Sequence, residues 1–493
     1  MCNFLASSLG AAEVRLWMAI PFVFLLILIA VMPLTPHRLK EFWEKYYPHV
    51  AIFLGVVVAA FYAWWIPGGG EAVWHSFKEY VSFIALVGSL FVISGGIVIN
   101  LKGEATPKTN IIFLFVGAVL ANLIGTTGAS MVLIRPWMRM NKCRLSAYHI
   151  VFFIFIVSNI GGALTPIGDP PLYIGYLRGV PFFWILEHAL LPWVFVIAVL
   201  LAVFWIFDSR KFFHHGGAPK PAHPEQEDTE ILFSLRGIKN IGYLIVVVVA
   251  VFLPGQVSAE TRAVLETYFV REIVMVAAAC ASYLTTKQKT HEENEFSFAP
   301  IKEVAFLFVG IFLTMVPALA YLSAHAKEIG ETLSQAAHYF FASGLLSGFL
   351  DNTPTYANFF DLIRSQVDAP DDVARVAKML ESTNAKEHAL LVAVSLGSVF
   401  FGALTYIGNG PNFMVKSIAD SSGVKMPSFF GYMGRFSLPI LLPTLILCSV
   451  FFMPNFNPPQ QTEESEELSP PQNDGAAPEI FAPEETQAVA EAA

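Results

Sequence analysis

Long apolar runs fill this chain, and the polar residues that interrupt them fall in a pattern. Residues 16–34 form an apolar run of 19 residues with Arg15 before it and Pro33 and Pro36 marking its end. A signal peptide has a shorter apolar core and a small-residue cleavage site, so the run predicts a membrane helix. Residues 50–66, 80–100, 183–207, 241–254, 272–285, 303–322 and 436–453 read as further crossings. Gly88, Gly95 and Gly96 in residues 80–100 suit close helix packing.

Two runs are broken in the middle. Residues 147–177 contain SNIGGALTPIGDPPLYIG, where adjacent glycines (Gly161, Gly162) and three prolines (Pro166, Pro170, Pro171) force the helix to unwind. Asn159, Thr165 and Asp169 bring polar groups to a depth where they are costly unless they serve a purpose. Residues 390–415 contain GALTYIGNGPN. An offset of 240 pairs Gly162 with Gly402, Thr165 with Thr405, Gly168 with Gly408 and Asp169 with Asn409. Two interrupted helices in matching places predict a secondary transporter with its site at the bilayer midplane.

Two more runs carry a polar cluster at their centre. In residues 111–134 the cluster is Asn122, Gly125, Thr126, Thr127 and Gly128; in residues 336–363 it is the stretch FLDNTPTYANFF. Lys102 and Lys108 precede the first run, and Arg135, Arg139, Lys142 and Arg144 follow it. If it doubles back, all six stand on one face, as the positive-inside rule prefers. A re-entrant hairpin is therefore expected for each.

The expected fold is an all-α polytopic membrane protein of about ten transmembrane helices plus two re-entrant hairpins, arranged as two inverted repeats with discontinuous helices. Residues 1–79 would be N-terminal scaffold helices, 80–207 the first repeat, 208–240 a cytoplasmic connector, 241–302 linking helices, and 303–454 the second repeat. On this arrangement about 20 of the 30 Lys and Arg lie on the cytoplasmic side of a cell (inner) membrane. The stretch from Arg364 to Lys386 is the exception, with four basic residues among as many acids on the outer side.

Composition agrees: 55% of the 493 residues are hydrophobic and 14% charged, which places the chain outside the soluble globular range. The net charge of −9 comes from residues 455–493, which hold nine acids and no Lys or Arg. That segment reads as a disordered tail and says nothing about the cargo. Four scattered cysteines (Cys2, Cys143, Cys280, Cys448) form no CxxC pair. His214, His215 and His223 sit in the Pro-rich connector, and Glu187, His188 and His388 at the starts of helices, with no metal role predicted for them. No basic patch suggests nucleic acid.

Unwound backbone at membrane depth survives only where it is buried or lines a cavity. Its freed carbonyls, with side-chain oxygens, suit a hard cation such as Na+. The candidate ion- or substrate-binding residues are Asn159, Thr165, Gly168, Asp169, Asp351, Asn352, Thr353, Thr405, Asn409 and Asn412, with Asn122, Thr126 and Thr127 at the first hairpin tip. A Na+ ion is expected at Asp169, Asn159, Asp351, Asn352 and Asn409. A carboxylate at low dielectric can hold either a proton or a cation, which is the physics of exchange by competition. Asp169 also stands where a helix N-cap would, before Pro170 and Pro171.

With these residues in view, the chain resembles the ion transporter superfamily, which includes NhaD-type Na+/H+ antiporters, arsenite permeases, and citrate and dicarboxylate carriers. The resemblance rests on GGALTPIGDPPL (161–172), GALTYIGNGPN (402–412) and LDNTPT (350–355), with GVPFFW (179–184) similar to the citrate-transporter-like branch. It implies a homodimer with a scaffold and a mobile transport domain built from the hairpins and broken helices. Dicarboxylate carriers have Ser-Asn-Thr at their hairpin tips. Here the tips read Gly125-Thr126-Thr127 and Asp351-Asn352-Thr353, and an aspartate stands at 169 where those carriers are neutral. NhaD-like antiporters resemble the chain at that aspartate but have acidic residues in the first hairpin. The expectation is Na+/H+ antiport, with Na+ and H+ as transported or coupling ions and no cofactor. Na+- or H+-coupled citrate or dicarboxylate transport is the runner-up. An intramembrane enzyme is the alternative of another class, against which the absence of HExxH, GxSxG and Walker sequences weighs.

Overall fold

The computed structural model describes residues 14–453 apart from 33–34, 102–104, 211–232, 258–260, 262–263, 266–267, 295, 326–327, 329–332, 334, 370–371 and 382–384. The acidic tail, Cys2, Pro33, Lys102 and the connector histidines His214, His215 and His223 lie outside the described residues.

A short 3-10 turn leads into α1 (Ile20–Val31), followed by α2 (His37–Trp65) and α3 (Gly69–Gly95). β1 (Val98–Leu101) pairs antiparallel with the later β2 (Phe233–Arg236), in the register Val98 opposite Arg236. Between them lie α4 (Pro107–Met140), α5 (Ala147–Ile156), α6 (Pro170–Leu177) and α7 (Trp184–Arg210). Then come α8 (Lys239–Gln256), α9 (Val270–Thr285), α10 (Gln288–Glu293), α11 (Ala299–Thr314) and α12 (Val316–Ala324). The chain continues with α13 (Ala336–Ser347), α14 (Asn352–Ser365), α15 (Asp372–Leu380), α16 (Ala385–Phe400), α17 (Gly410–Ser421) and α18 (Phe429–Tyr432). A π-helical stretch (Met433–Leu441) that contains Pro439 leads into the last helix, α19 (Leu442–Phe452).

Polar and apolar faces are distributed as a bilayer demands. Phe53, Val56, Trp64 and Trp65 on α2, Leu191, Val194 and Trp205 on α7, and Val450 and Phe451 on α19 face outward. Asn110, Asn122, Asn159, Asp169, Asn352, Thr405, Asn409 and Asn412 are all buried. Among the described residues seven helices are long and apolar enough to cross a membrane, and three shorter apolar helices accompany them. The protein is an all-α polytopic membrane protein, with the two-stranded ribbon its only sheet among the described residues.

Length misleads for one of those seven. Gly125 breaks α4 with φ 81° and ψ 152°, a left-handed φ open to glycine. Asn110 Nδ2 donates to Asn141 Oδ1 at 2.9 Å, and the rings of Phe113 and Trp137 are 5.2 Å apart. A continuous helix would hold Asn110 and Asn141 about 46 Å apart. The segment is therefore a hairpin with adjoining feet, as the basic residues on both its flanks predict. α13 and α14 form a second hairpin across residues 348–351, with Tyr339 and Phe359 6.2 Å apart by ring centroid and Gln366 Nε2 donating to Tyr339 OH at 2.7 Å.

The two hairpins stand at opposite ends of α7. The foot of the first is tied to Asp208, near the end of α7, by Asn110 Nδ2 at 2.9 Å. The foot of the second is tied through Asp361 to Arg178 at 3.0 Å, just past α6 and before α7 begins. Arg364 meets the same Asp361 oxygen at 3.1 Å, so part of the anomalous positive charge on this face is neutralised in place. Broken helices occupy the centre: every residue of α5 from Tyr148 and every residue of α16 from Ala389 is buried.

Candidate functional site

Each broken helix is braced to its own hairpin by the same device. Thr165 Oγ1 donates to the Asn122 carbonyl at 2.6 Å and accepts from Gly168 N–H at 3.0 Å. Thr405 Oγ1 donates to the Gly348 carbonyl and accepts from Gly408 N–H at 3.1 Å. Asn122 donates to the Gly161 carbonyl at 2.6 Å and accepts from Leu164 N–H at 2.9 Å. Its amide thus satisfies the backbone that unwinding exposes. Gly168 and Gly408 cannot be enlarged, because a side chain at Gly408 would sit 2.6 Å from the Gly402 carbonyl and one at Gly168 closer still to that of Gly162.

Asp169 is fully buried and occupies the N-cap position of α6, but its side chain makes no capping bond. The carboxylate turns instead toward three neutral donors. Thr126 Oγ1 donates to Oδ1 at 2.8 Å, Asn352 Nδ2 donates to Oδ2 at 2.9 Å, and Asn409 Nδ2 approaches Oδ1 at 3.4 Å. These come from the first hairpin, the second hairpin and the second broken helix. All four interrupted elements meet at one carboxyl group.

Carbonyls that can only accept fix the direction of the amide chain behind it. Asn412 Nδ2 donates to the carbonyls of Gly402 and Thr405 at 2.8 and 3.0 Å. Its oxygen accepts from Asn159 Nδ2 at 2.7 Å, and Asn159 spends its other proton on the Ile154 carbonyl at 2.8 Å. Asn159 Oδ1 must then accept from Asn409 at 3.1 Å, and the same NH2 faces the Ser158 carbonyl at 3.2 Å and, farther off, Asp169 Oδ1 at 3.4 Å.

Of the residues expected from sequence, Asp169, Asn159, Asn352, Asn409 and Thr126 converge. Thr165, Thr405, Asn122 and Asn412 are engaged in bracing the unwound segments, and Gly168 accepts from Thr126 N–H at 2.8 Å through its carbonyl. Thr405 Oγ1 accepts from the N–H groups of both Ile407 and Gly408, whereas Thr165 Oγ1 accepts from Gly168 alone. Asp351 stands at the N-cap position of α14 beside Asn352, with no capping bond from its side chain, while Thr127 is buried next to the tip.

Sequence reasoning missed one participant. Ser347 Oγ contacts Asn352 Oδ1 at 2.7 Å and the Ser398 carbonyl at 2.6 Å. Two apolar grooves, near Val56 and Phe77 and near Ile245 and Val274, hold none of these residues.

No curated protein matches the chain. The family described as putative citrate transport matches residues 11–453, which span both hairpins and both broken helices. The chain, a multi-pass membrane protein whose matching interruptions converge on a buried carboxyl group, belongs to the putative citrate transport family.

Proposed function

We propose that the protein is a secondary active carrier of the cell membrane in which Na+ and H+ compete for Asp169, giving Na+/H+ antiport. One observation carries this reading: segments of both halves converge on a single buried carboxylate whose hydrogen-bond partners are all neutral. A cation or a proton neutralises that group, whereas an anion beside it would meet no Lys, Arg or His among those partners. The homodimer implied by the resemblance belongs to the same proposal.

Ser347 supplies the proton bookkeeping. Its hydroxyl carries one proton but contacts two acceptors as the Asn352 amide is drawn. With Asp169 ionised, Asn352 turns its NH2 to the carboxylate and accepts the Ser347 proton. With Asp169 protonated, the carboxyl O–H donates to the Asn352 oxygen, the rotated NH2 donates to Ser347 Oγ, and Ser347 donates to the Ser398 carbonyl. Each protonation state thus has its own satisfied network, and half a turn of one amide connects them.

Everted vesicles test the reading. Na+ should dissipate an imposed pH gradient; no response to Na+ or Li+ at any pH between about 7 and 9 overturns antiport. The family match favours a second reading, citrate transport coupled to Na+ or H+ through the same carboxylate. There the N-termini of α6 and α17 would hold a substrate carboxylate. Uptake of labelled citrate into proteoliposomes, abolished when the coupling cation is withdrawn, would select it.

A further inference from the structure

His188 on α7 and His388 on α16 come from different halves of the chain, and their rings lie 4.4 Å apart at 69°. Trp184 stacks on His188 at 4.7 Å and leans on His388 at 5.0 Å. Both histidines are partly exposed, so the pair can be reached from the surface. It stands at the start of α7, the end opposite the Asp208 cluster.

One tautomer follows from the backbone. His188 Nδ1 is 2.6 Å from the Trp184 carbonyl. A carbonyl only accepts, so Nδ1 carries the proton and Nε2 keeps its lone pair. The Nδ1 of His388 is buried with no hydrogen-bond partner, and a cation beside it would satisfy that orphaned nitrogen. A ring that donates one N–H to a carbonyl and presents one bare nitrogen, as His188 does, is how protein-bound metals are ordinarily held by histidine.

We propose that His188 and His388 form a binding site for a borderline divalent transition metal of the zinc class. Neutral imidazole nitrogens suit Zn2+, Ni2+ and Cu2+ and are poor ligands for Mg2+ and Ca2+. Among the described residues no third His, Cys, Asp or Glu completes a cluster, so water fills the remaining positions. Such an ion links α7 of the first half to α16 of the second. The site is remote in kind from the Asp169 site, which offers oxygen ligands, and does not depend on the transported ion.

The test uses chelator-stripped full-length protein in detergent, titrated with Zn2+ against a chromophoric indicator. One Zn2+ per chain should bind in the micromolar range and resist excess Mg2+. His188→Gln and His388→Gln should each weaken binding at least about tenfold, and the triple change His214→Gln, His215→Gln, His223→Gln should leave this equivalent in place. Cu2+ at the same site should give a paramagnetic resonance spectrum split by two imidazole nitrogens, reduced to one in each single variant. Unchanged Zn2+ affinity in both single variants, or loss of the equivalent in the connector variant alone, overturns the proposal. The two substitutions lie on separate helices, so misfolding of one variant leaves the other informative.

Discussion

Asp169 and Asn409 hold the same station in the two halves of the molecule. Each precedes the proline-containing first turn of a half-helix, with backbone angles of −144° and 140° at Asp169 and −149° and 141° at Asn409. The Asn409 amide nitrogen lies 3.4 Å from Asp169 Oδ1. Near-symmetric backbones thus present one charge and one neutral partner to a single point. Of the two, only Asp169 can carry a charge.

Replacing that charge should be decisive. Asp169→Asn keeps the shape and loses the group that cation and proton share, so turnover should fall by about two orders of magnitude or more while expression is retained. Na+-driven collapse of a pH gradient in vesicles measures it; wild-type exchange in the variant would remove Asp169 from coupling.

Ser347→Ala takes away the hydroxyl that satisfies the Asn352 amide in either orientation. Transport should drop roughly tenfold, in line with about 1–2 kcal/mol for a buried group left unpaired. Ser347→Thr, which keeps the hydroxyl, should recover most of the rate. Equal loss in both variants would point to packing instead.

Gly402 lies between two of the site amides. A methyl group there would stand 2.9 Å from Asn159 Oδ1 and closer still to Asn352 Oδ1. Gly402→Ala should therefore lower the apparent affinity for the coupling cation about tenfold or more. Transport measured against cation concentration checks this; an unchanged half-saturating value would show that these amides do not set the site.

The first hairpin makes a topological prediction. Lys108 and the exposed Cys143 flank α4 on either side, and adjoining feet place them on the same membrane face. In a background with Cys2, Cys280 and Cys448 replaced, an impermeant maleimide should reach Lys108→Cys and Cys143 from the same side only. Labelling from opposite sides would make α4 a crossing helix.

The sequence announced the two broken helices because glycine and proline are incompatible with a regular apolar helix, and because their spacing repeats at 240 residues. The first hairpin was legible through charge, since only a reversal places the basic flanks of residues 111–134 together, and the second through its repeat of the same pattern. Their equivalence was hidden. Asn122 and Thr126 correspond to Gly348 and Asn352 at an offset of 226; the first pair shares a backbone carbonyl role and the second a side-chain donation to Asp169. Ser347 sits in a run of small residues that reads as packing. His188 and His388 are single residues far apart in the chain. Nothing local marks these positions, since their significance arises only when separate helices meet.

Asp208 accepts from Asn110 and from Tyr148 OH at 2.9 Å each and pairs with Arg144, while His149 Nε2 lies 3.4 Å away. Removing its charge strands the arginine beside a neutral group. Asp208→Asn should lower stability by about 3–5 kcal/mol, read as a fall in the thermal midpoint of the detergent-solubilised protein. The same fastening governs how the hairpin can move. Its base is pinned on one carboxylate, and its tip at Thr126 lies about 24 Å along the arm from Asn110. With its base held there the arm can pivot more readily than slide, so a small rotation about Asp208 would carry the tip through a larger sweep beside Asp169.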